Sequence, residues 1–169
     1  MDTTHLHLLL NHFPIIGTLI GSILLFFGII KKQENIKTVA SFILFIMALL
    51  AIPVFLTGEP AEESVEKLPG VLESMIELHE EAANIAIWLM ELTGFAALIA
   101  LFLQKRKQDL AKTTFFVVFI LSVLCFAAMA RTGYYGGKIR HSEIRTGSAE
   151  SLQNGINNGN EAKGEKDDD

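Results

Sequence analysis

The residues of this chain best equipped for chemistry are its histidines. There are five, His5, His7, His12, His79 and His141, and all lie outside the long apolar blocks or at one edge of them. Imidazole ligates iron, copper and zinc, and it titrates near neutral pH. Shared sidedness alone is weak support for a site, because most non-apolar residues fall on that side as well. Helix faces discriminate better.

Leu68-Pro69-Gly70 is a helix-start signal upstream of the third apolar block. At about 100° per residue, a helix from there places Leu72, Met75, Ile76, His79, Ala83, Ala86, Ile87, Met90, Gly94 and Ala97 within about 60° of one line. Glu73, Glu77, Glu80 and Glu81 point elsewhere, so His79 sits in an apolar, inward-facing stripe. A helix starting near Thr3 or Thr4 puts His5, His12, Ile16, Leu19 and Ile23 on one face. Gly17 and Gly21 lie opposite, a Gly-x-x-x-Gly suited to close helix contact. Either Pro14 kinks this helix or Asn11 caps one that begins just before it, and in both cases His12 stays at the bundle mouth, level with His79.

Two imidazoles at one depth on inward faces of different helices meet the requirement for axial ligation of a b-type haem. Gly133, Gly136 and Gly137 would let a macrocycle approach the backbone, and Arg131, Lys138 and Arg140 would neutralise its propionates. A turn at those glycines would fold the following segment back over the mouth and make His141 a third candidate ligand. Two alternatives stand beside haem: a copper, iron or zinc ion on the same His12 and His79, or no cofactor, with both rings capping helix ends or bonding each other and headgroups.

Glu91 is the ionisable residue deep inside an apolar block. An unpaired carboxylate is expensive there, so it is either a protonated acid bonded to Thr93, Ser122 or Asn84, or a proton-relay or ligand-positioning group. Cys125 is the only cysteine, which excludes an internal disulfide and a thiolate cluster. It reads as a small buried hydrophobe.

Positioning these groups falls to four long helices. With 169 residues, 50% of them hydrophobic and 20% charged, the chain is too apolar for an ordinary soluble domain. The apolar residues form four blocks, 13–30, 38–57, 84–103 and 113–130. Each can cross about 30 Å of hydrocarbon at about 1.5 Å per residue. A lipid-embedded backbone must satisfy its own hydrogen bonds, and no block alternates with period two, so helices are expected rather than a barrel. The predicted fold is an all-α four-helix transmembrane bundle over 1–145, with helices at about 5–30, 38–57, 70–104 and 113–131. A long outer loop extends the third helix, and an acidic, Asn/Gly/Asp-rich tail over 146–169 is expected to be disordered. Met1-Asp2-Thr3-Thr4 supplies no basic n-region, so the first block is expected to be retained rather than cleaved.

Lysine and arginine resist translocation. Lys31, Lys32 and Lys37 crowd the first connection, and Lys105, Arg106, Lys107 and Lys112 the third. Both connections are therefore expected in the cytoplasm and both termini outside. The outer loop carries Glu59, Glu62, Glu63, Glu66, Glu73, Glu77, Glu80 and Glu81 against Lys67, either a solvated loop or a surface for metal or a cationic partner.

Asn11-His12-Phe13-Pro14, Thr57-Gly58, His79-Glu80-Glu81-Ala82 and the Gly133 to Gly137 cluster together resemble the bacterial membrane proteins grouped as domain of unknown function 2231. The resemblance covers about residues 5 to 145 and rests on short motifs. It implies a multi-pass protein of the bacterial inner membrane, in a family sometimes associated with cytochrome-containing proteins and without an established reaction. Of the candidate ligands it carries over His12 and His79 alone. The glutamate-rich loop and the acidic tail depart from the family's pattern.

The leading functional expectation is a periplasm-facing b-type haem-binding or redox-associated subunit, with His12 and His79 as axial ligands and Arg131 or Arg140 near the propionates. Its partners would be the bilayer and a cytochrome or other redox membrane complex, with oligomerisation open. A second reading is a cofactor-free assembly subunit, and a third a small transport or metal-handling protein using Glu91 with Met47, Met90 and Met129. No Gly-rich phosphate loop, Ser/His/Asp constellation or Cys/His metal box appears, so the sequence makes no case for a soluble enzyme or a nucleic-acid partner.

Overall fold

A computed structural model of the chain describes residues 3–66 and 71–140. The tail over 146–169, His141 and the Leu68-Pro69-Gly70 signal lie outside the described residues. The described residues form six helices: α1 (Thr3–Leu10), α2 (His12–Ile30), α3 (Glu34–Leu56), α4 (Gly58–Glu66), α5 (Glu73–Gln104) and α6 (Gln108–Arg140). Four stretches are long and apolar enough to cross a membrane, Thr4–Ile30, Glu34–Glu66, Glu73–Gln104 and Gln108–Ile139.

The four long helices form a ring, with α2 packed on α3 and α6, and α5 packed on the same two. The short connections 31–33 and 105–107 share one end, the lysine-rich end. The other, the histidine end, holds α1, α4, the start of α5 and the last turns of α6.

Alanines line much of the interior, around a few large buried side chains, Leu25, Leu44, Met90 and Phe115. Ala40, Ala48, Ala51, Ala86, Ala97 and Ala100 are buried, whereas Ile16, Phe42, Trp88, Phe95 and Phe116 are exposed. Apolar side chains gain nothing by leaving hydrocarbon for a protein interior, so close backbone approach and van der Waals contact hold such helices together. A Cβ on Gly94 would collide with that of Ala48, and one on Gly21 would lie 2.8 Å from Leu44 Cδ2. The buried hydroxyls mostly bond their own helices, Ser22 to the Thr18 carbonyl at 2.7 Å, Thr93 to that of Leu89 at 2.7 Å and Ser122 to that of Phe119 at 2.8 Å.

Three expectations change. First, the segment after Thr57 is not simply a loop: α4 forms there, packs on α1 and buries Ala61. Second, the turn expected at Gly133 to Gly137 is not made, and α6 runs through these glycines to Arg140. Each glycine costs a helix about 1 kcal/mol relative to alanine. These glycines lie in the helix that makes, with α5, the most extensive pairing among the described elements. Third, the face of α2 carrying Ile16, Leu19 and Ile23 points outward, at 54%, 39% and 47% exposure. Its inward face is Pro14, Thr18, Gly21, Ser22, Leu25 and Gly28. The larger apolar residues of α2 thus lie outside and its small and hydroxyl-bearing ones inside, the inverse of a soluble amphipathic helix.

Candidate functional site

The histidine end is organised by two half-buried imidazoles on different helices, His7 and His79. The last carbonyls of a helix have no intrahelical partner, and α3 ends at Leu56. His7 reaches across from α1 to supply one: its Nδ1 lies 3.0 Å from the Val54 carbonyl and 3.2 Å from Thr57 Oγ1. Thr57 Oγ1 also donates to the Val54 carbonyl, at 2.9 Å. A carbonyl can only accept, so Nδ1 carries the hydrogen and Nε2 of the neutral ring keeps its lone pair.

His79 repeats the arrangement on α5. Its Nδ1 donates to the Thr132 carbonyl of α6 at 2.9 Å, which again leaves Nε2 as the lone-pair nitrogen. The ring lies against Gly136, where a Cβ would stand 3.1 Å from its Cε1 and 3.2 Å from its Nδ1. The glycine cluster thus has one identifiable task, seating this imidazole. Gly137 meets nothing within 4 Å.

His12 is placed differently. It is exposed, and its Nδ1 bonds the Leu8 carbonyl one turn earlier at 3.1 Å. Asn11, between α1 and α2, stays in a helical conformation, makes no side-chain cap and leaves its buried Oδ1 without a partner. Arg131 is exposed with its guanidinium 5.5 Å from the Tyr135 ring, and Lys138 lies 4.4 Å from the Tyr134 ring. Arg140 closes α6.

Glu91 is half-buried, and its Oε1 has no hydrogen-bond partner. The expected bonds to Thr93 and Ser122 are not made; each of those hydroxyls donates to a carbonyl of its own helix. Of the three methionines grouped with it, Met90 and Met129 converge on Thr18, whose hydroxyl lies 3.4 Å from one sulfur and 3.9 Å from the other. Cys125 Sγ is 3.5 Å from Met90 Sδ. Met47 instead packs against Gly17.

Sequence reasoning passed over His7, although a signal for it was there. His7, Asn11, Pro14, Thr18, Gly21, Leu25 and Gly28 alternate spacings of four and three, the stripe of a packed helix seam, and all but Leu25 are small or polar, as lipid-embedded seams tend to be. Among the described residues, no three or more His, Cys, Asp or Glu side chains gather as a metal-ion cluster. Compared with protein-family models, curated proteins and solved structures, the chain matches none.

Proposed function

We propose that this chain is a multi-pass membrane protein whose histidine end binds a b-type haem through Nε2 of His7 and His79. One observation carries the reading: both rings are held by Nδ1 hydrogen bonds to backbone carbonyls. Such a bond fixes the tautomer and orientation of a metal-ligating histidine and raises its basicity. Haem iron arrives with four porphyrin nitrogens and takes one axial ligand on each side, so two imidazoles complete it, whereas a structural zinc ion takes four protein ligands. Arg131 and Lys138, on the last turns of α6, would neutralise the propionates. When bound, the group supplies one-electron transfer.

In this reading His7 takes the place the sequence offered to His12. On the placement of its lysines and arginines, the lysine-rich end faces the cytoplasm of a bacterial inner membrane and the histidine end faces outward, toward a cytochrome or other redox partner. The same hydrogen bonds favour a second reading, a cofactor-free assembly subunit, because His7 ties α1 to the end of α3 and His79 ties α5 to α6.

Asparagine separates the two readings. In His79→Asn the side-chain amide can still donate to the Thr132 carbonyl, but nothing replaces Nε2. Detergent-solubilised protein, purified after expression with haem supplied, should show a Soret band that shifts on reduction, and His79→Asn and His7→Asn should each lose it while staying folded. His12→Ala should keep it. A colourless wild type, or a band that survives both asparagine variants, overturns the haem assignment.

A further inference from the structure

The opposite end of the bundle carries a site of another kind. A cleft of about 1170 Å³ opens between α3, α5 and α6 at the lysine-rich end. Its walls include Leu98, Ile99 and Phe102, and its rim Lys105, Arg106 and Lys112. Leu98 and Phe102 are 45% and 60% exposed, so the apolar wall is continuous with the surface that would meet acyl chains.

Lys37 forms part of the lining and is only 5% exposed. Its stem lies along Gly28, where a Cβ would stand 2.8 Å from Lys37 Cγ. Its ammonium sits 4.9 Å from the Phe115 ring and 2.7 Å from Glu34 Oε1. Glu34 is the only acid among the described lining residues, and it is already engaged, by Lys37 and by Gln104 Nε2 at 3.0 Å. The rim has no comparable neutralisation. Arg106 rests 5.1 Å from the Phe102 ring. Lys112 pairs with Asp109, but the two side chains are 69% and 98% exposed, and so exposed a pair is weak.

A positive rim above an apolar wall selects an amphiphile with an anionic head. Free phosphate would satisfy the rim and leave the wall uncovered, and a zwitterionic lipid would bring its own cation against three others. Basic pockets between helices at the membrane boundary recognise anionic headgroups in this way. We propose that this cleft binds an anionic phospholipid, its phosphate held by Lys105, Arg106 and Lys112 and an acyl chain laid along Leu98, Ile99 and Phe102. The site depends on the helices being embedded in a bilayer and is independent of any cofactor at the other end.

The test uses the full chain in detergent, with thermal unfolding followed as phosphatidylglycerol, phosphatidylcholine or inorganic phosphate is added, and native mass spectrometry on the same samples. Phosphatidylglycerol should stabilise the protein at a concentration at least tenfold below that needed of phosphatidylcholine and remain bound in the spectrometer, while inorganic phosphate has little effect. Arg106→Ala/Lys112→Ala should lose most of that preference. Lys31→Ala/Lys32→Ala, which removes equal charge from the other connection at the same end, should keep it. Equal response to the two lipids, full replacement by inorganic phosphate, or equal loss in both double variants overturns the proposal.

Discussion

The imidazole of His79 occupies the space that a side chain at Gly136 would need, with its Cε1 3.1 Å from the missing Cβ. A glycine inside α6 is thus coupled to a histidine on α5, and the two neighbouring positions of α6 should respond differently to the same substitution. Gly136→Ala gains helix propensity but sets a methyl 3.1 Å from a ring held by its bond to the Thr132 carbonyl, so the ring must give by a few tenths of an ångström and part or all of the gain is lost. Gly137→Ala meets nothing within 4 Å and gains up to about 1 kcal/mol. Thermal unfolding of the two variants should move apart, with Gly136→Ala below Gly137→Ala. Equal shifts would mean that the ring does not rest there.

His7 ties α1 to the end of α3, with its Nδ1 3.0 Å from the Val54 carbonyl and 3.2 Å from Thr57 Oγ1. His7→Ala removes that donor and should speed amide exchange in 3–10, whereas His7→Asn keeps a donor for the Val54 carbonyl and should preserve more of the protection. Unchanged protection in His7→Ala would place His7 in water.

How much of this the sequence revealed differs between helices, and the difference has one physical source. The α5 stripe through Ile76, His79, Ala86, Met90, Gly94 and Ala97 was legible because its inward residues are apolar apart from His79 and its outer turns carry glutamates, so soluble and lipid rules agree. On α2 the rules disagree: Ile16, Leu19 and Ile23 are the larger apolar residues, yet they face outward, while Thr18 and Ser22 are buried. His12 went outward with the isoleucines, and His7 came inward with Thr18. The run of α6 through Gly136 was not legible, because the partner that makes a glycine useful there lies 57 residues earlier in the chain, at His79.

The Gly94 and Ala48 contact tests whether close backbone approach holds α3 to α5. A Cβ at Gly94 has no room beside that of Ala48, so Gly94→Ala must push the helices apart and forfeit dispersion contacts along both. A loss of about 1–3 kcal/mol is expected, read as a lower midpoint of unfolding in mixed micelles. Ala48→Gly makes room for the new methyl, and the double variant should recover much of the loss. Failure of that rescue would show that Gly94 acts through something other than this contact.

The Lys37 and Glu34 pair should be asymmetric. Lys37 is 7% exposed at its side chain and Glu34 57%, so the ammonium is the charge withdrawn from water and the carboxylate is its compensation. Removing one partner of a buried pair leaves the other uncompensated, whereas replacing the buried ion by an apolar side chain of similar length is close to neutral. Lys37→Met should therefore lie within about 1 kcal/mol of wild type, since Glu34 keeps Gln104 as a donor at 3.0 Å and remains open to solvent. Glu34→Gln leaves Lys37 charged over the Phe115 ring and should cost more, about 1–3 kcal/mol, with the double variant returning toward Lys37→Met alone. Chemical denaturation of the three variants measures the coupling directly. If Lys37→Met were the more damaging change, the ammonium would be held by something other than Glu34, and the charge distribution assigned to the cleft would be wrong.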